Sequence, residues 1–274
     1  MRFQLGSFPV PHQHGAWAMF LIPAVMAVAL GQSWGWSPLF LILAFVLIFL
    51  SHSPASRFIR RWRSRRVVEL ESMNWALLLG GSGVILAGVI FVFHQKWNAL
   101  FFGIVVGTAF LIHLWMTLNR EHMSVPGEII GVFGLTASTP TMYLFLHGNL
   151  DARGWVLWMI NFLYFTGSIF YIKLKVRIQT SMPEPDLKGK LKAGLPTLLY
   201  GLFVLTYVFV ITVIRGYSWF FFWAYVPFFI KAVFGLFQWQ DKRSLRVNRL
   251  GFIELIHSFV FAVVCTIGFY SNAG

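Results

Sequence analysis

Three groups of residues have the types and spacing to do chemistry. Near the carboxyl end, Glu254 and His257 stand three apart in the stretch Asn248-Arg249-Leu250-Gly251-Phe252-Ile253-Glu254-Leu255-Ile256-His257. On a helix that spacing puts both on one face, with Arg249 near the same end. A carboxylate and an imidazole so placed can share a proton or, as a Glu-x-x-His pair, ligate a metal. The di-iron bundle pattern needs two such pairs and two further glutamates. This chain offers one pair, which favours a hydrogen-bonded Glu254–His257 pair facing a bundle interior.

At the amino end, Pro11-His12-Gln13-His14-Gly15-Ala16-Trp17 sets two histidines two residues apart at the entry to an apolar run. With His52 and Glu71 they form the most imidazole-rich set, and His12, His14 and His52 are the candidates for a divalent metal or haem. The third group is Glu128, which follows Gly127 and Pro126 and lies close in sequence to Arg120. It is either a proton-transfer residue or half of an Arg120–Glu128 pair joining two helix ends.

The elements that must position these residues are membrane helices. Of the 274 residues 58% are hydrophobic and 11% charged, and mean hydropathy is +0.71, outside the range of soluble domains. Runs able to cross about 30 Å of hydrocarbon at about 1.5 Å per residue occur at approximately 15–31, 38–53, 72–94, 98–118, 127–147, 154–174, 194–214, 218–238 and 250–271. The fold expected is an all-α bundle of nine transmembrane helices in a single domain, 1–274, with 38–53 the shortest. The first apolar segment is expected to stay as a helix and not be cleaved. One cysteine, Cys265, excludes an internal disulfide.

With nine spans the lysines and arginines fall nineteen on the side of the amino terminus and three on the other, Lys96, Arg153 and Arg215. That asymmetry predicts an N-in, C-out protein of a cytoplasmic membrane. It also assigns the net charge of +13 to loop topology and not to nucleic-acid binding. In this count Lys231 goes with the charges around the last inner loop. The run from Arg57 to Arg66 is read as a basic loop after helix 2, and 179–196 as a short surface helix or lid. Most of these charges set topology. A few, Arg57 with Lys173, Lys175 and Arg177, have the forked or cationic heads that bind phosphate oxygens.

The opening Pro11-His12-Gln13-His14-Gly15-Ala16-Trp17-Ala18-Met19, the basic stretch after His52, the Arg120 to Glu128 segment and Asn248 to Glu254 together resemble the YwiC-like family of bacterial integral membrane proteins. The resemblance runs along essentially the whole chain and implies a multi-pass protein of the bacterial inner membrane. It brings no reaction with it.

The architecture of nine helices with long inner loops after helices 2 and 6 is similar to the UbiA superfamily of intramembrane prenyltransferases. Its members join an isoprenyl diphosphate to an aromatic or tetrapyrrole acceptor, holding Mg²⁺ and diphosphate with Asp-rich motifs. At the first motif this chain has Ser51-His52-Ser53-Pro54-Ala55-Ser56-Arg57, and at the second Tyr171-Ile172-Lys173-Leu174-Lys175-Val176-Arg177, with only Glu184 and Asp186 nearby. Metal-assisted ionisation of a diphosphate needs carboxylates that these stretches lack.

This likeness implies a protein that binds or transforms an isoprenoid-type amphiphile in a cytoplasm-facing pocket, with membrane lipid and the hydrophobic ligand as partners. Arg57, Arg120, Tyr171, Lys173, Arg177 and Arg249 would contact the substrate, and Glu128, Glu254 and His257 would be catalytic. Two alternatives remain: a transporter of a small solute, and a non-catalytic assembly or cofactor-handling factor with a histidine metal or haem site. Against transport, the outer halves of the helices are nearly free of ionisable groups, and no matched pair of broken helices occurs.

Overall fold

The protein is described here from a computed structural model, which covers residues 14–31, 35–64, 70–119, 121, 123–181, 183–239 and 247–271. All regular structure among these residues is helical. In chain order the helices are α1 (His14–Ala29), α2 (Trp36–Arg63), α3 (Leu70–Phe93), α4 (Trp97–Leu118), α5 (Val125–Thr136), α6 (Ser138–His147), α7 (Ala152–Lys173), α8 (Leu187–Arg215), α9 (Trp219–Phe237) and α10 (Val247–Ser271). A π-helical turn, Leu174–Ile178, continues α7.

Among the described residues eight stretches are long and apolar enough to cross a membrane, α5 and α6 together making one of them, Val125–His147. The remaining apolar helix, Gly15–Ala29, is shorter than these. At about 1.5 Å per residue it reaches roughly 22 Å, less than the hydrocarbon thickness of about 30 Å.

Two helices run further than their apolar runs. α2 has 28 residues and is not short, because it continues through Pro54 to Arg63 and takes in four of the six arginines of the basic run. Arg60, Arg61 and Arg63 fall in its last turn, where cations favour the partial negative charge of the carbonyl ends. α8 begins at Leu187, so 187–193 are its first turns and not a separate lid. Asp186 caps it, its side chain accepting a hydrogen bond from the Gly189 amide at 2.9 Å.

The break between α5 and α6 has a local cause. Pro140 has no N–H for the carbonyl of Thr136, and its ring crowds that carbonyl. Hydroxyls around the break add bonds to nearby carbonyls: Thr136 to Val132 at 2.8 Å, Ser138 to Leu135 at 2.9 Å and Thr141 to Ala137 at 2.8 Å.

The described residues divide into two compact units, one within 23–158 and the other made of 14–22 with 159–271. In the first, α2 and α3 pack through glycines. A Cβ on Gly83 would stand 2.7 Å from the Ala44 carbonyl oxygen, and one on Gly80 3.2 Å from Ser51 Oγ. Arg63 reaches the end of α4, donating to the Leu118 carbonyl at 2.7 Å and to Asn119 Oδ1 at 2.9 Å. Residues 138–145 of α6 are all buried.

In the second unit α9 packs on α8 and α10. Tyr164 of α7 stacks on Phe261 with ring centroids 3.9 Å apart, and Tyr200 of α8 donates to the Leu163 carbonyl at 2.9 Å.

Both units keep polar side chains such as Thr139, Asn161 and Gln179 inside. Large apolar groups face outward, Ile85 67% and Ile104 68% exposed among them. That distribution suits lipid as the solvent.

Close approach of α3 to α2 requires the missing side chain at Gly83. Gly83→Val is expected to destabilise the protein by about 1–3 kcal/mol through overpacking. Gly81→Ala, with nothing within 4 Å of the added methyl, should not lower stability and by helix propensity should raise it by up to about 1 kcal/mol. Thermal unfolding of both variants in detergent checks the contrast.

Candidate functional site

Lys231 lies within α9, six residues or about 9 Å from its carboxyl end. It is therefore not one of the inner-loop charges with which the sequence count placed it. Its Nζ meets Glu254 Oε1 of α10 at 2.7 Å, with the two side chains only 8% and 5% exposed. The Tyr171 ring centroid is 4.7 Å from the same nitrogen, and that of Phe228 is 5.5 Å away. Aromatic faces and one carboxylate oxygen thus surround the ammonium, an arrangement that suits a desolvated cation.

Local sequence explains why Tyr171 is available. Gly235, one turn beyond Lys231, leaves the space that the Tyr171 ring fills: a Cβ there would come within 2.5 Å of Tyr171 Cε2. The end of α7 is then tied to the end of α9. Lys175 donates from Nζ to the Gln238 carbonyl at 2.6 Å, and Gln179 from Nε2 to the Gly235 carbonyl at 2.9 Å. These bonds satisfy carbonyls that a helix end leaves open, and Lys175, buried, is held by one of them.

The cluster is only half satisfied. Glu254 Oε1 is paired, but Glu254 Oε2 is buried without a hydrogen-bond partner, and so is His257 Nδ1 one turn along α10. Ser258 Oγ donates to the Glu254 carbonyl at 2.8 Å and does not reach the carboxylate by that bond. A buried pair recovers its desolvation penalty only when its remaining lone pairs and protons are also satisfied. Ionisable groups inside a span are by default functional. The carboxylate can accept a hydrogen bond or a proton, and the imidazole can accept or donate at Nδ1.

The first unit holds a second polar junction. His52 Nε2 of α2 and His113 Nδ1 of α4 are 2.9 Å apart, so one ring donates to the other. Ser56 Oγ lies 3.5 Å from His52 Nε2. Gly131 of α5 lets the helix close on this pair, since a Cβ there would stand 3.3 Å from His113 Cδ2. Glu128 is half-buried in the first turn of α5, one turn before Gly131.

The expected site residues are therefore distributed as follows. Tyr171, Glu254 and His257 are together in the second unit. In the same unit Lys173 is half-buried, while Arg177 and Arg249 are exposed. In the first unit Arg57 is half-buried with its Nε unpartnered, and Glu128 and His52 stand as described. His12, Arg120 and the side chain of His14 lie outside the described residues. Among the described residues no group of three or more His, Cys, Asp or Glu is placed to hold a metal ion, and the His52 ring is engaged by His113. Sequence reasoning missed His113 as the partner of His52, and Lys231. The signal for Lys231 was one lysine inside the Phe-rich run of α9.

Removing one member of the buried pair strands the other. Lys231→Met is expected to cost about 3–5 kcal/mol. The double variant Lys231→Met/Glu254→Leu should recover most of that loss, as read by thermal unfolding of the purified proteins.

A model of the family described as YwiC-like protein matches residues 10–143, the part that contains His52, His113 and Glu128. A Bacillus subtilis (strain 168) protein named "Uncharacterized protein YwiC" is 26% identical over 259 residues, covering 93% of this chain and 96% of that protein. No solved structure matches the chain. The family match in the first half, and a relative aligned along nearly the whole length, agree with the motifs in the sequence and together support membership of the YwiC-like family.

Proposed function

We propose that this chain is a multi-pass protein of the bacterial cytoplasmic membrane that binds or transforms an isoprenoid-type amphiphile. In this reading it is UbiA-like in architecture, with nine spans, the amino terminus inside and the carboxyl terminus outside. The observation that carries it is the half-satisfied Lys231–Glu254–His257 cluster inside a membrane span. The cluster is at the end of α9 and α10 that the charge asymmetry assigns to the cytoplasm.

An amphiphile meets both requirements of such a place. Its tail replaces lipid along apolar helices, and its head supplies the missing hydrogen-bond partners. Glu254 and His257 would exchange the head's proton, Lys231 would hold Glu254 in position, and Tyr171 would wall the site. With so few carboxylates near helices 2 and 7, chemistry at the head would rest on these side chains and not on a metal-bound diphosphate.

Binding and turnover of a panel of isoprenoids, with and without quinone-precursor acceptors, test the reading. The wild-type protein should bind at least one member, and Glu254→Gln should weaken binding or turnover about tenfold or more, the effect expected of one lost charge-assisted hydrogen bond. No binding and no turnover by either protein would overturn it. Orientation is tested separately in a Cys265→Ser background: Asp151→Cys should react with an impermeant thiol reagent from outside the cell, and Glu184→Cys only from inside.

A further inference from the structure

Resting on that reading, we infer that the head recognised between Glu254 and His257 is a neutral hydroxyl, as in an isoprenoid alcohol or a hydroquinone, and not a phosphate. The formal charges of Lys231 and Glu254 cancel each other. Lys231 is taken up by Glu254 Oε1 at 2.7 Å, and Lys175, one turn beyond Tyr171, is taken up by the Gln238 carbonyl at 2.6 Å. Arg177 is exposed, six residues past Tyr171. A phosphate at this level would bring uncompensated negative charge beside a carboxylate in a low-dielectric medium, which is strongly unfavourable.

What the cluster lacks is one donor for Glu254 Oε2 and one partner for His257 Nδ1. A single hydroxyl supplies both. Its O–H donates to Glu254 Oε2, and its oxygen accepts from His257 when Nδ1 carries the proton. The carboxylate oxygen has no hydrogen to give, so a ketone or ether would leave it unsatisfied. The same logic ranks ligands: alcohols and phenols first, carbonyl compounds second, diphosphates last. Tyr171 and Phe228, whose rings flank the Lys231 ammonium, set an aromatic and apolar wall behind that point.

The test uses the full chain in nanodiscs of neutral lipid, with three probes measured by tryptophan fluorescence: geranylgeraniol, a decyl hydroquinone and geranylgeranyl diphosphate. At least one hydroxyl probe should bind at least tenfold tighter than the diphosphate, and which of the two does so tells alcohol from hydroquinone. His257→Phe and Lys231→Met/Glu254→Leu should each weaken that binding tenfold or more while unfolding cooperatively, which separates lost recognition from a lost fold. Preferred binding of the diphosphate would overturn the hydroxyl assignment and leave the amphiphile reading standing. Hydroxyl binding unchanged in both variants would overturn the assignment of the site. No binding by any probe, with a water alone filling the space between the two side chains in an experimental structure, would overturn both.

Discussion

The second unit is organised by a constraint that lipid imposes more severely than water does: the charge on Lys231 has to be matched inside the bundle. Glu254 matches it at 2.7 Å, and the match fixes α9 against α10. Everything near the pair follows from making room for it. Gly235 clears a space, Tyr171 occupies that space and offers its ring to the ammonium, and Lys175 and Gln179 pin the end of α7 to the carbonyls at the end of α9. An apolar pair of the same size would hold two helices together at less electrostatic cost. Leaving Glu254 Oε2 and His257 Nδ1 unpartnered adds to that cost, which is why the cluster reads as a site.

The first unit is built by other means. Its helices approach through absent side chains, at Gly80 and Gly83 between α2 and α3 and at Gly131 beside His113. Small residues let helices come close where there is no hydrophobic drive between them in lipid. Its polar junction, His52 with His113, is satisfied by one ring donating to the other, with Ser56 at the edge. An imidazole pair joined in this way has its facing nitrogens, His52 Nε2 and His113 Nδ1, bonded to each other.

Much of the architecture was legible because long apolar runs have one stable form in a bilayer, a helix that satisfies its own backbone. Helix ends were less legible. α2 passes through Pro54, and α8 starts seven residues before the apolar run at 194, because Arg, Lys and Leu side chains continue a helix out of the hydrocarbon as readily as they end one. Tyr171, Glu254 and His257 were readable from their types and spacing. Lys231 was visible but misread, since a loop-charge count has no way to see that a lysine faces a glutamate 23 residues away. The partnership of His52 and His113 spans 61 residues and depends on a helix packing that no local pattern encodes.

The central claim is that the space beside Glu254 and His257 is occupied by the polar head of an amphiphile. Photo-crosslinking addresses it most directly, using an isoprenoid alcohol that carries a diazirine next to its hydroxyl, in native-lipid membranes, with the labelled peptides identified by mass spectrometry. The account predicts labels on α9 around Phe228 and Lys231, on α10 around His257, and on α7 around Tyr171, competed by unlabelled alcohol and lost in Lys231→Met/Glu254→Leu. Labels confined to the outward faces of α3 and α4, unaffected by competitor or by the double variant, would contradict it.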